Sequence, residues 1–138
     1  MMVQNMEIRY TDKLPSPDTL FALYNCVGWN EFLNLSKELL HQAMVQSWYV
    51  ISAYDQNRLI GTGRIISDGL INAYLCGVVV HPNYRNQGIG SEMVRKLVTK
   101  SRNANLHVQL FCIEENTPYY EKLGFEIFAM GMKDKRKE

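Results

Sequence analysis

The groups best placed to do chemistry in this chain lie between Val78 and Ser91. Gly88 and Gly90 carry no Cβ, so the backbone there can come close to a ligand. They stand at the start of a helix, because Ile89, Met93, Val94, Leu97 and Val98 recur at helical spacing and give one apolar face. The first N–H groups of a helix have no partner within it, and together with the helix dipole they attract an anion, most often a phosphate. Arg85 adds a guanidinium fork suited to phosphate oxygens. Taken alone, these residues allow two readings, a phosphate cradle or a plain tight turn. The stretch is not a Walker loop, since no Gly-Lys-Ser/Thr follows. Nor is it a dinucleotide fingerprint, which needs Gly-x-Gly-x-x-Gly.

Other reactive side chains are scattered. Cys26, Cys76 and Cys112 are far apart and in apolar company, and no Cys-x-x-Cys occurs. They read as reduced, mostly buried thiols rather than metal ligands or disulfide partners. His41, His81 and His107 do not cluster with them, so no metal site is expected. His81 invites a proton-transfer role because imidazole titrates near neutrality, but a residue before proline at a strand end is commonly structural.

The elements that must position these groups follow from the chain in order. Ile8 to Thr11 reads as a short strand. Ser16-Pro17-Asp18 is a helix start, with a capping serine, proline at the first position and an acid that suits the dipole. That helix ends at Gly28, and Gly28 to Phe32 reads as a connection whose aromatics either line a pocket or plug the loop. Ser36 caps a second helix. Trp48 to Asp55, Arg58 to Ile66 and Leu70 to Val80 then form a meander of antiparallel strands, turning at Gln56-Asn57 and Asp68-Gly69. A helix from Gln87 to about Asn103 crosses to a strand at Leu106 to Phe111, and such a crossover makes the two strands parallel. Thr117-Pro118 opens another helix, Gly124 ends it, and Phe125 to Met132 supplies a last strand or two short ones. The charged tail after Met132 reads as a solvated end.

The 138 residues suit one domain, over 1–138, with a single sizeable core. Apolar residues at 46% and charged residues at 21% are ordinary for a soluble globular protein. A net charge of +1 argues against a broad nucleic-acid surface. No apolar run approaches the roughly 18 residues that span a bilayer, and the first residues lack the regions of a signal peptide. No nucleic-acid or membrane partner is expected, and the cytoplasm is the default compartment.

Arg85-x-x-Gly88-x-Gly90, after a valine-rich strand that ends in His81-Pro82, resembles the pyrophosphate-binding signature of the GCN5-related N-acetyltransferases (GNAT). Tyr119-Tyr120-Glu121-Lys122-Leu123-Gly124-Phe125 resembles a later motif of the same family. The likeness is good from Leu59 to Met132 and holds only in outline before that.

The resemblance implies a single-domain α/β (α+β) GNAT-like fold. Its mixed central sheet, flanked by helices, would open as a V between the strand 70–80 and the strand 106–111. It implies acetyl-coenzyme A as cosubstrate. The pantetheine arm would pair with backbone of Val78, Val79 and Val80, and the pyrophosphate would rest on Arg85, Asn86, Gln87, Gly88, Ile89, Gly90 and Ser91, with Asn116 helping. Tyr120 aligns with the tyrosine that assists the leaving thiolate, and a backbone N–H near Val79 would steady the charged oxygen. Tyr119 and Tyr120 point about 100° apart on a helix, so only one should face the cleft.

Many relatives carry a glutamate on the strand before the loop. Here that strand reads Ile71 to Gly77 without a carboxylate, and Glu31, His81, Glu114 and a water chain stay open as the base. The expected activity is acetyl transfer to a primary amine of a small molecule, with a peptide or protein amine next. The alternative is a non-catalytic acyl-coenzyme A sensor of the same fold. Relatives often pair through sheet edges, which makes a homodimer the expectation.

Overall fold

In a computed structural model, which describes residues 7–136, the chain forms a five-stranded sheet between two helical layers. The first strand, β1 (Ile8–Thr11), leads into α1 (Pro17–Cys26). Ser16 caps α1 by accepting from the Thr19 N–H, with Pro17 in the first turn, as its residue types require. Two further helices follow, α2 (Trp29–Leu33) and α3 (Lys37–Val45), and Ser36 caps α3 through the Leu39 N–H. The meander is β2 (Tyr49–Asp55), β3 (Arg58–Ser67) and β4 (Asn72–Val80). Then come α4 (Ile89–Asn103), β5 (His107–Gln109) and α5 (Thr117–Lys122).

Sheet order is β1-β2-β3-β4-β5, antiparallel throughout except for the parallel β4–β5 pair that the α4 crossover produces. Ile51, Ile65, Ala73 and Leu75 bury one face of the sheet against Met93, Val94 and Leu97 of α4. On the other face, Val50, Leu59 and Val79 meet Leu20, Leu23 and Tyr24 of α1 and Leu40 and Met44 of α3. The α+β architecture with a mixed sheet is therefore as expected.

The cysteines, expected to be mostly buried, are exposed at Cys26 and Cys112 and half-buried at Cys76. Three elements also differ from the sequence reading. The connection after Gly28 holds a short helix, α2, because Gly28 turns left-handed (φ +85°) and starts a new helix instead of only ending the old one. The strand expected at Leu106 to Phe111 pairs only over His107–Gln109. Phe125 to Met132, expected to be strand, has no strand pairing. Three residues of β5 offer no ladder long enough to extend, and Phe128 and Gly131 instead lie against the rings of His107 and Phe111.

Two local events shape the site. The β4–β5 pairing stops at Tyr74↔Gln109, while β4 runs on to Val80, so the sheet opens as a V beyond that point. Within β4, Thr62 faces Val79 while Arg64 faces Cys76, so Gly63 alone opposes both Gly77 and Val78. This is a β-bulge, and Gly77 adopts the left-handed φ of +65° that it needs.

Candidate active site

The mouth of the V is bounded by the free edge of β4, the loop 81–88 and the start of α4. The His81 N–H donates to the Ile60 carbonyl at 2.7 Å. In an antiparallel ladder the hydrogen-bonded positions alternate, so Val79 also bonds toward β3 while Val80 turns its backbone groups to the open edge. The Val79 N–H is thus engaged in the sheet, and the backbone N–H near Val79 that turns outward belongs to Val80. The Val79 side chain enters the α1–α3 core, and those of Val78 and Val80 pack on the α4 side.

After Pro82 a single tight turn, Pro82–Tyr84, brings the chain round. Arg85 is exposed and anchored by its Nε, which donates to the Val80 carbonyl at 3.1 Å. Asn86 and Gly88 are both left-handed, at φ +63° and +83°, and with exposed Gln87 between them they wrap the loop in front of α4. Gly88 caps α4 with no side-chain bond, and a Cβ placed there would enter open space. The Glu92 N–H begins the helical ladder by donating to the Gly88 carbonyl. The amides of Ile89, Gly90 and Ser91 precede it and have no acceptor among the described residues. A Cβ on Gly90 would stand 3.6 Å from both Tyr119 Oη and Val80 Cγ2. The arrangement presents N–H groups, a positive helix end and a guanidinium to open space, and it fits an anionic pyrophosphate.

The two adjacent tyrosines separate as helix geometry requires. Tyr120 is partly buried, edge-on to Phe125 at 6.0 Å and to Tyr119 at 4.9 Å. Burial raises its phenol above the usual tyrosine value, and Tyr119 and Cys112 add to the rise. Tyr119 reaches the cradle itself, with its Oη 2.9 Å from Ser91 Oγ. Sequence reasoning had Tyr119 only as the neighbour of Tyr120. No local signal pairs it with Ser91, 28 residues away. Asn116 is exposed in the turn before α5, and none of the described contacts joins it to the cradle.

His81 is buried and enclosed by donors. The Asn83 N–H donates to its Nδ1 at 3.1 Å, and Arg58 Nη2 lies 3.0 Å from its Nε2. Burial lowers its pKa, and Arg58 and Arg85 lower it further. The one lone pair of the neutral ring is taken at Nδ1 by the Asn83 N–H, and the Arg58 guanidinium stands against Nε2, so the imidazole resists a proton and has no lone pair free for an incoming amine. A consequence for stability follows from linkage. The unfolded chain takes up the His81 proton near pH ~6.5, whereas the folded chain takes it up only at lower pH. This contribution is present above pH ~6.5 and is lost as pH falls through the folded value. Urea titrations from pH 8 to 5 are therefore expected to show falling stability in the acid range, and His81→Asn is expected to flatten that fall.

Glu31 and Glu114 are exposed, the first in α2 and the second in the turn before α5. No group of three or more His, Cys, Asp or Glu that could hold a metal ion occurs among the described residues. Nor is any helix among them long and apolar enough to cross a membrane. A separate open cavity of about 630 Å³ lies between β1, β2 and α4, lined by Tyr10, Tyr49, Glu92, Arg95 and Lys96 among others. It shares none of the cradle residues, so it is not the site described here.

Known proteins are similar to this chain in sequence and in fold. The chain is similar to a histone acetyltransferase, TAP1, of Glycine max, 32% identical over an alignment of 123 residues that covers 83% of this chain and 53% of that protein. It is similar over a shorter stretch to a glucosamine 6-phosphate N-acetyltransferase of Trypanosoma brucei brucei, 39% identical over 57 residues, 41% of this chain and 39% of that one. The chain thus spans about half the length, or less, of these two relatives. Among solved structures, a GNAT-family acetyltransferase of Streptococcus pneumoniae superposes with a TM-score of 0.75 at 25% identity, covering 96% of this chain and all of that one. Residues 10–125 match the family described as Acetyltransferase (GNAT) family, a span that runs from β1 past α5 and takes in the whole V and its cradle. The chain belongs to the GNAT acetyltransferase family.

Proposed function

We propose that the protein is an acetyl-coenzyme A-dependent N-acetyltransferase that moves an acetyl group to a primary amine of a small molecule by direct attack. The observation that carries this reading is the run of unpartnered amides, Ile89 to Ser91, at the start of α4 beside the open edge of β4. Those amides, with Arg85 and the loop from Asn86 to Gly88, hold the pyrophosphate. The backbone of Val78 to Val80, outward at Val80, accompanies the pantetheine amides, and Asn116 helps to hold the cosubstrate. The cosubstrate supplies an acetyl group already activated as a thioester.

The chain's residues then orient and stabilise. The amine nitrogen forms a bond to the acetyl carbon as the carbon–sulfur bond breaks, the amine gives up a proton, and the sulfur leaves as a thiolate that then takes a proton from water. Tyr120 donates a hydrogen bond to that sulfur. Its raised pKa makes complete proton transfer more uphill than the ~2 kcal/mol that separates an ordinary phenol from a thiol, so stabilisation of the thiolate is its role. His81, enclosed by donors, is not the base. The amine proton passes to water or to an exposed carboxylate.

The histone and amino-sugar substrates in the relatives' names show how varied the acceptors of similar proteins are. A peptide or protein amine is the next candidate after a small molecule. The three free cysteines, Cys26, Cys76 and Cys112, favour a reducing compartment such as the cytoplasm. One observation favours a second reading, a non-catalytic acyl-coenzyme A sensor: β4 carries no carboxylate along Asn72–Val80. Thiol release from acetyl-coenzyme A in the presence of a panel of amines decides between them. Amine-dependent release is expected, and binding of the cosubstrate without release from any amine would favour the sensor.

A further inference from the structure

The helical layer made by α1 and α3 covers only part of its face of the sheet. It reaches Tyr24, whose ring is buried and whose Oη would lie 3.7 Å from a Cβ on Gly77. Beyond that point the same face presents Arg64, Ile66, Tyr74 and Cys76, which share it by strand alternation and by the cross-strand pairs Arg64↔Cys76 and Ile66↔Tyr74. Tyr74 stacks on Phe111 at 6.1 Å, with the two rings within 10° of parallel. Ile66 and Phe111 are exposed at 46% and 73%. This is an open apolar floor leading to the bulge where the sheet splays.

Arg64 stands at the inner end of the floor and is only partly exposed. Its guanidinium gives one hydrogen bond, from Nη1 to Ser47 Oγ at 3.2 Å, and has no carboxylate partner among the described residues. Its Nε would lie 3.4 Å from a Cβ on Gly77, so the bulge glycine is what gives the side chain its place. The charge is felt locally. Burial raises the phenol of Tyr24 and the thiol of Cys76, and in both cases Arg64 opposes the rise. A guanidinium carries five N–H donors, and a partly buried charge without an opposite partner is unfavourable. An anionic group arriving on this floor would relieve that cost and meet donors in fork geometry.

We propose that Arg64 is the residue that recognises the acceptor, and that the acceptor is a small amine carrying an anionic group, a carboxylate or a phosphate. This rests on the acetyltransferase reading above. The apolar body of the acceptor lies on Ile66, Tyr74 and Phe111, its anionic group meets Arg64, and its amine faces the V.

The test compares kcat/KM for two matched pairs, phenylalanine against phenylalaninamide and glucosamine 6-phosphate against glucosamine, in a preparation whose binding of acetyl-coenzyme A is measured by calorimetry. In at least one pair the anionic member is expected to be preferred by about tenfold or more, and the pair in which this happens identifies carboxylate or phosphate. Arg64→Gln is expected to bring that ratio close to one, whereas Arg64→Lys retains part of it. Arg64→Met, which keeps the stem against Gly77, replaces the glutamine variant if that does not fold. Ratios near one in both wild-type pairs would overturn the inference and need no variant. So would a preference that survives Arg64→Gln, or no acetylation of either pair by protein that binds acetyl-coenzyme A. Failure to bind acetyl-coenzyme A would instead overturn the transferase reading, and this inference with it.

Discussion

Tyr120→Phe is expected to lower kcat by about ten- to a hundredfold while changing the affinity for acetyl-coenzyme A by less than about twofold. The range corresponds to a hydrogen bond to a charged group, about 1.5–3 kcal/mol, realised as charge builds on the leaving sulfur. The ring would be retained, so its edge-on packing against Phe125 and Tyr119 is kept and the fold is spared. Because burial, Tyr119 and Cys112 all raise the phenol pKa, Tyr120 keeps its proton throughout the neutral and mildly alkaline range. Any loss of wild-type activity between pH 8 and 10 should therefore persist in the phenylalanine variant.

Tyr119→Phe is the matched control. It removes a hydroxyl that touches Ser91 at the cradle, so it should raise KM for acetyl-coenzyme A by a few-fold and spare kcat. An unchanged kcat in Tyr120→Phe would remove that residue from the chemistry.

The largest effect on binding is expected from Gly88→Val, a loss of at least about tenfold in affinity for acetyl-coenzyme A. Two costs combine here. The position has φ +83°, where a β-branched residue is strained by about 1–2 kcal/mol. The added side chain would also occupy the open space in front of the Ile89, Gly90 and Ser91 amides. Gly88→Ala is strained in the same way with less bulk, so the difference between the two variants measures crowding apart from strain. Equal affinity in wild type and Gly88→Val would mean that the loop is only a turn.

The cradle was legible because it is nearly contiguous. A strand end, a proline, an arginine and two glycines at the start of an amphipathic helix lie within fourteen residues, and each has a local physical meaning. The caps at Ser16 and Ser36 were legible for the same reason. So was the turn at Asp68-Gly69, where the Asp68 carboxylate accepts from the Leu70 and Ile71 amides. Helix α2 escaped notice because five residues are too few to show a period.

The segment after Gly124 misled for the opposite reason. Its residues suit a strand, but strand formation needs a partner, and β5 offers only three residues. Gly77, inside a strand, was a readable sign of a bulge, and the bulge in turn determines which valines face which layer. What sequence could not supply was the set of meetings fixed by register. Arg64 and Tyr24 both reach Gly77, Tyr119 reaches Ser91, and Arg58 and Asn83 each meet a ring nitrogen of His81. Apart from the local Asn83–His81 bond, each of these joins residues more than ten positions apart.

Joint binding of acetyl-coenzyme A by the start of α4 and the open edge of β4 underlies the proposed function. It is tested most directly by calorimetric titration of the purified protein with acetyl-coenzyme A alone, in wild type and in Gly88→Val. Saturable one-site binding by the wild type, weakened at least about tenfold in the variant, is expected. A wild-type protein shown to be folded that gives no saturable heat, or a variant that binds as tightly as the wild type, would contradict it.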